Sequence, residues 1–147
     1  MGKCYNSTYI NAPVDRVWRL VRNFHDMSWA TGPIETCVPV GETQSDQLGA
    51  RRVLNGAIQE TLVGLDDRRG IFTYQITEGP SPISSAEVKD YHGVVRVRQE
   101  TSGGGTFVEW TSTWIGRDGE VGEFCNPIYT ALLAALKQAA ENTSGNR

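Results

Sequence analysis

The sequence is poor in residues that cross-link a small fold or bind metals. It has three cysteines, Cys4, Cys37 and Cys125, and two histidines, His25 and His92, none of which has a partner at metal-ligand spacing. An odd number of widely spaced cysteines builds neither a disulfide framework nor a tetrahedral metal site. We therefore predict reduced, mostly buried thiols, a cytoplasmic location, and neither a metal nor a cofactor.

Long apolar runs and an excess of basic charge are also missing. No stretch approaches the length of a membrane-spanning helix, and residues 1–5 lack the apolar run of a signal peptide. The formal net charge is −3, and the basic pair Arg51-Arg52 is too short to form a phosphate-binding patch. The expected partners therefore include neither nucleic acid nor an inserted membrane.

The length of 147 residues fits one domain. No internal repeat or linker divides residues 1–141, which we expect to form a single domain. Residues 142–147 are rich in asparagine, serine and glycine, a composition typical of a flexible tail.

Two periodicities divide the chain. Residues 3–10 alternate like a strand, and Asn11-Ala12-Pro13 then predicts the start of a helix that has one apolar stripe through Val17 and Val21. From residue 34 the period is two, and turn signals separate six predicted strands, at 34–41, 49–56, 57–65, 70–78, 86–101 and 105–116.

The last predicted element is a long helix over residues 120–142. Pro127 lies inside it, which predicts either a kink or a new helix that begins at Pro127 with Asn126 as its cap. The order of elements predicts an α+β fold in which a curved antiparallel sheet of six or seven strands wraps around this helix.

The predicted inner face of the sheet carries polar groups as well as apolar ones. Phe72, Tyr74 and Ile76 share one face of their strand, and Glu60 shares the more apolar face of its own strand with Ile58. The pattern leaves the orientation of strands 49–56 and 105–116 open. An alanine-rich helix over such a face predicts a hollow interior with ionisable groups inside.

Several segments resemble the SRPBCC superfamily, and more narrowly its polyketide cyclase/dehydrase branch. The segments are Gly49-Ala50-Arg51-Arg52, Gln59-Glu60-Thr61-Leu62, Tyr74-Gln75-Ile76-Thr77-Glu78-Gly79-Pro80, Tyr91 and Val108-Glu109-Trp110. Relatives in that superfamily include abscisic-acid receptors and birch-pollen-type allergens. The resemblance covers roughly residues 3–140 and implies a helix-grip fold with a cavity for a small ligand.

The resemblance also implies which residues face that cavity. It implies a polar end formed by Arg52, Glu60, Tyr91 and Glu109, which are the candidate catalytic residues. The candidate ligand contacts are Leu54, Ile58, Phe72, Tyr74, Ile76, Val95, Phe107, Thr111, Ile128 and Leu132. The receptors' gate loop is reduced here to Asn55-Gly56-Ala57, and Glu35 stands near their ligand-pairing lysine, so we do not expect hormone reception of the plant type.

Two functions fit this arrangement. The first is binding of a small, mostly hydrophobic ligand, by a monomer or a homodimer. The second is a cofactor-free cyclase, dehydratase or isomerase that acts on a polyketide-like or ketone-bearing substrate by general acid–base catalysis. A purely structural Arg52–Glu60 pair is the alternative to both. If Glu109 faces inward, Trp110 and Trp114 face outward, and they then predict a subunit contact.

Overall fold

The computed structural model describes residues 1–142 and has seven strands and two helices within them. In chain order they are β1 (Gly2–Ile10), α1 (Val14–Arg22), β2 (Cys37–Val40), β3 (Arg51–Leu54), β4 (Ile58–Asp66), β5 (Ile71–Glu78), β6 (Lys89–Gln99), β7 (Thr106–Ile115) and α2 (Asp118–Glu141). Of the predicted tail, 142–147, all but Asn142 lies outside the described residues. Neither helix in this part of the chain is long and apolar enough to cross a bilayer.

The strands form one antiparallel sheet in the order β1-β7-β6-β5-β4-β3-β2. Consecutive strands from β2 to β7 are neighbours, joined by connections of three to ten residues, and β1 lies at the far edge beside β7. The three-residue β3–β4 turn, residues 55–57, has Asn55 and Gly56 at φ 53° and 65°, left-handed values that asparagine and glycine tolerate best. The predicted α+β helix-grip fold is confirmed.

The long helix α2 covers the concave face of the sheet. Its buried residues recur at helical spacing: Val121, Cys125, Tyr129, Leu132, Leu133, Leu136 and Ala140. Pro127 lies within this one helix and on its exposed side, so the alternative of a new helix that begins there is wrong. The kink stays a prediction.

The orientation of β7 differs from the one that the resemblance implies. Trp110 and Trp114 are buried, with 2% and 1% of their surface exposed, whereas Glu109 lies on the convex face. There Glu109 accepts a hydrogen bond from the Tyr5 hydroxyl at 2.6 Å and pairs with Arg98 at 3.0 Å. The placement of Glu109 in the cavity was therefore wrong, and so was the subunit contact through the two tryptophans.

The same correction applies to Phe107 and Thr111, which share the convex face with Glu109. The β6–β7 register sets Arg96 opposite Glu109, and directly opposed residues of an antiparallel pair project to the same face. Because two tryptophans bury far more apolar area than one phenylalanine, burial selects the tryptophan face.

Candidate functional site

A narrow cavity lies between α2 and the concave face of the sheet. The centre of a water molecule can occupy about 30 Å³ of it, which is room for roughly two waters. The sheet, α2 and two loops line this cavity with Met27, Ile34, Arg52, Leu54, Ile58, Glu60, Tyr74, Ile76, Ile83, Trp110, Phe124, Cys125, Ile128, Tyr129 and Leu132. Arg52 and Glu60 are the charged members of that lining.

Arg52 and Glu60 form a buried ion pair across β3 and β4. Their residues are directly opposed in the sheet, so both side chains project to the concave face, with 2% and 5% exposed. Arg52 Nε and Nη2 lie 2.9 and 2.7 Å from Glu60 Oε1. Arg52 Nη1 donates to the Phe24 carbonyl at 2.9 Å. The guanidinium carbon of Arg52 also lies 3.9 Å from the centre of the Phe24 ring.

The contacts of this pair use one of the two carboxylate oxygens of Glu60. Both Arg52 contacts use Glu60 Oε1, and among residues 1–142 no hydrogen bond reaches Oε2. Burial raises the pKa of Glu60, while the charge and hydrogen bond of Arg52 oppose that rise. Glu60 therefore has one carboxyl oxygen without a hydrogen bond, and burial shifts its pKa upward, towards neutrality.

A second polar group in the cavity is a chain of tyrosine hydroxyls. Trp110 Nε1 donates to the Tyr74 hydroxyl at 2.9 Å, and that hydroxyl lies 3.0 Å from the Tyr129 hydroxyl. The Tyr129 hydroxyl also contacts the Tyr91 hydroxyl, and Tyr91 donates to Cys125 Sγ at 3.2 Å. Three strands and α2 thus contribute to one buried hydrogen-bonded chain.

Burial sets the protonation of this chain. It raises the pKa values of Tyr74, Tyr129 and Tyr91 above their usual value, and it raises the pKa of the Cys125 thiol to about 11. At neutral pH the three tyrosines are therefore hydrogen-bond donors, and the thiol is not a nucleophile. The polar groups at the cavity are therefore the neutral tyrosine hydroxyls and, among the described lining residues, one carboxylate, Glu60.

The structure distributes the predicted site residues over three places. The cavity lining includes Arg52, Glu60, Leu54, Ile58, Tyr74, Ile76, Ile128 and Leu132. Tyr91, Phe72 and Val95 are buried on the concave face behind that lining, where Tyr91 contacts the cavity through Tyr129 and Phe72 packs against Trp18 and Phe24. Glu109, Phe107 and Thr111 lie on the convex face, away from the cavity.

Sequence reasoning missed several lining residues, of which Tyr129 matters most. Tyr129 follows Val121 and Cys125 at intervals of four, which is a helical spacing that identifies the buried face of α2. The other lining residues not singled out from sequence are Met27, Ile34, Ile83, Trp110, Phe124 and Cys125. Met27, Ile34 and Ile83 lie in loops whose inward turn no periodicity signals.

The site as a whole combines an apolar wall with one polar region. The carboxyl of Glu60 can accept or release a proton, and the tyrosine hydroxyls use their protons within their own hydrogen-bonded chain. Arg52 has five N–H donors, and its three nitrogens already contact Glu60 and Phe24, so at most two N–H groups remain for a ligand.

Comparison with known proteins agrees with this architecture. The family model described as polyketide cyclase/dehydrase and lipid transport matches residues 1–141. A solved protein from Nitrosospira multiformis is 40% identical, with a TM-score of 0.92 over 97% of this chain and 99% of that chain. No curated protein matches the chain.

Two more distant structures show the fold alone. The XoxI protein from Bacillus cereus is 23% identical, with a TM-score of 0.79 over 98% of this chain and 99% of that one. The major latex-like protein 151 from Panax ginseng is 20% identical, with a TM-score of 0.72 over 95% of each chain. Because the family match spans both helices and all seven strands described above, the chain belongs to the polyketide cyclase/dehydrase and lipid transport family of the SRPBCC superfamily.

Proposed function

We propose that the protein binds a small, mostly apolar molecule that carries one polar group, in the cavity beneath α2. The family's fold supports a ligand-binding cavity in general. The observation that carries the proposal is the composition of this cavity. Aliphatic and aromatic side chains form most of its wall, and Glu60 adds a carboxylate oxygen that accepts no hydrogen bond from the described residues.

The narrowness of the cavity sets a condition on binding. A ligand larger than about two waters must displace side chains, because the space is close to filled. The lining residues that are partly exposed at its margin, and so have the least packing to lose, are Ile34, Ile58, Ile76, Phe124 and Ile128. Ligand binding is therefore coupled to a shift of these side chains.

Native mass spectrometry of freshly purified protein tests the proposal directly. We expect a retained small molecule whose mass is lost on denaturation. The variant Ile58→Trp fills the cavity and should lose this molecule, whereas Val63→Trp should keep it, because Val63 is exposed on the other face of the same strand. Equal retention by both variants would place the molecule elsewhere and contradict the proposal.

The free oxygen of Glu60 favours a second candidate function, proton transfer at a carbon next to a carbonyl group. Burial raises the pKa of Glu60, which brings it closer to the range in which a carboxylate serves as a general base at neutral pH. In such a reaction Glu60 takes a proton from the substrate carbon, the electron pair moves to the carbonyl oxygen, and the proton then returns to carbon.

Deuterium exchange tests this second candidate without knowledge of the natural substrate. We expect the protein to speed the incorporation of deuterium from D₂O into the methyl group of acetophenone, as followed by NMR. Glu60→Gln should remove the acceleration, and Glu109→Gln should retain it because Glu109 lies on the convex face. If both variants exchange as fast as the unmodified protein, Glu60 is not a base.

A further inference from the structure

Almost every polar atom of the cavity lining already has a partner within the protein. Each of the three nitrogens of Arg52 contacts either Glu60 or the Phe24 carbonyl. The indole nitrogen and the two tyrosine hydroxyls of the lining belong to the hydrogen-bonded chain that ends at Cys125. Among the side-chain nitrogens and oxygens of the lining, Glu60 Oε2 is the one atom that has no hydrogen-bond partner in residues 1–142.

The unpartnered oxygen belongs to a buried acceptor. Glu60 is 5% exposed, so bulk solvent compensates it poorly. A buried carboxylate oxygen that accepts no hydrogen bond is costly, and a hydrogen bond to a charged acceptor is stronger than one between neutral groups. Since no described residue supplies the donor, a molecule that enters the cavity is best able to supply it.

The charge of the lining restricts what kind of donor this molecule carries. Arg52 Nε and Nη2 lie 2.9 and 2.7 Å from Glu60 Oε1, so the two charges of the lining cancel each other. A cationic ligand would leave the apolar cavity with a net positive charge, and an anionic ligand would place its oxygens against the lone pairs of Glu60 Oε2. Both arrangements bury an uncompensated charge.

We infer that the polar group of the ligand is an uncharged N–H or O–H group, which donates a hydrogen bond to Glu60 Oε2. The ligand class is therefore a neutral alcohol, phenol or N–H heterocycle, and neither an ammonium ion nor a carboxylate. This inference rests on the proposed ligand-binding function and names the ligand's chemistry.

Pyrrole and furan are matched probes for such a donor. The two rings have nearly the same shape, but pyrrole has an N–H donor where furan has a weakly accepting oxygen. We measure both affinities by NMR titration of the protein. Since a hydrogen bond to a charged group adds about 1.5–3 kcal/mol, we expect the ratio of pyrrole to furan affinity to fall by at least about ten-fold in Glu60→Gln.

The variant has a clear physical rationale and a matched control. In Glu60→Gln the amide oxygen can keep the contact with Arg52, which leaves an NH₂ group, a donor, in place of Oε2. Glu109→Gln makes the same chemical change on the convex face and should leave the ratio unchanged. The unmodified protein gives an answer even if Glu60→Gln does not fold. A purely apolar cavity would favour furan, the more apolar ring, whereas we expect pyrrole to bind more tightly.

A third probe, pyrrolidinium, tests the charge of the donor, because it is a cation of the same ring size. We expect it to bind more weakly than pyrrole, and tighter binding would show that the neutral class is wrong. If pyrrole and furan both bind but the unmodified protein prefers furan, or Glu60→Gln keeps the ratio, Glu60 is not the acceptor and the cavity proposal stands. If neither ring binds at tens of millimolar, the proposed function and this inference are both overturned.

Discussion

Removing Arg52 while leaving Glu60 in place tests the electrostatics of the cavity most directly. Arg52→Met keeps an unbranched apolar stem but deletes the guanidinium that contacts Glu60 Oε1 through two nitrogens and the Phe24 carbonyl through a third. Glu60, which is 5% exposed, then has no positive partner and little water. A carboxylate in that position is strongly destabilised.

The expected loss follows from what is known of buried pairs. Deleting one partner of such a pair lowers the free energy of unfolding by about 3–5 kcal/mol. The free energy of unfolding of a single domain is about 5–15 kcal/mol in total. We therefore expect the variant to fold at neutral pH but to unfold at a much lower denaturant concentration than the unmodified protein. Arg51→Met, the neighbouring exposed position on β3, should change stability by less than about 0.5 kcal/mol.

The loss should depend on pH in a direction that the pKa of Glu60 fixes. Burial raises the pKa of Glu60, and without Arg52 nothing opposes that rise. A group whose pKa is higher in the folded state adds stability below its unfolded pKa, about 4.3 for a glutamate, and loses it as the pH rises through the folded pKa. The deficit of Arg52→Met is therefore largest at neutral pH and shrinks as the pH falls towards about 4.

Urea unfolding followed by tryptophan fluorescence at pH 7 and pH 4.5 measures both quantities. The double variant Arg52→Met/Glu60→Leu should recover most of the lost stability, because it removes the charge as well as its partner. A loss below about 1 kcal/mol at pH 7, or an equal loss at both pH values, would refute the buried-charge argument.

Three further predictions concern the packing and reactivity of the interior. Trp114→Ala should lower the free energy of unfolding by about 3–5 kcal/mol in urea, because Trp114 is 1% exposed and stacks on Tyr91. Gly93→Ala should lower the free energy of unfolding by about 1–3 kcal/mol, because its new methyl group meets the Tyr74 ring. Cys125 should react slowly with iodoacetamide at pH 8, with a rate that rises as the pH approaches its pKa of about 11.

Matched changes elsewhere in the chain serve as controls for these three. Phe107→Ala on the convex face of β7 should cost much less than Trp114→Ala, and the reverse order would contradict the assigned orientation of that strand. Gly104→Ala should be close to neutral, since an added methyl group meets nothing within 4 Å. Fast labelling of Cys125 at pH 8, in a variant with Cys4 and Cys37 replaced by serine, would show that the thiol is not shielded.

The sequence predicted the elements well because their signals are local. Alternation and turn residues placed every strand within a few residues of its position, and helical spacing identified the apolar stripe of α2. Arg52 was placed inside by its resemblance to a family motif, although its strand alternates ambiguously. The structure agrees with that orientation because Arg52 and Glu60 are opposed in register.

The orientation of β7 could have been predicted from sequence, and the error has a clear cause. The glycine-rich turn between β6 and β7 sets Gln99 opposite Thr106, and counting back from there sets Arg96 opposite Glu109. Since Val95 was expected to face the cavity, the next residue, Arg96, had to face outward, and so did Glu109 opposite it. The family motif was given more weight than this register and than the greater apolar area of the tryptophan face.

The details of the cavity depend on contacts between distant segments, which no local signal carries. The tyrosine chain joins β5, β6 and α2, so its hydrogen bonds exist only once the whole sheet has closed against the helix. The loops that contribute Met27 and Ile83 to the lining have no periodicity from which their inward turn can be predicted.

The outward position of Glu109 narrows the chemistry that the cavity can support. Two carboxylates beside Arg52 would have allowed one to act as acid and the other as base, a division of roles that suits dehydration, in which a hydroxyl leaves. Of the described residues, the cavity lining has the single carboxylate Glu60, and burial raises the pKa of Tyr129 and Tyr74, which makes both hydroxyls weaker acids than a free tyrosine. A single carboxylate can still remove a proton from one carbon and return it to another. If the cavity is catalytic, its geometry therefore favours isomerisation or exchange at a carbon beside a carbonyl over dehydration.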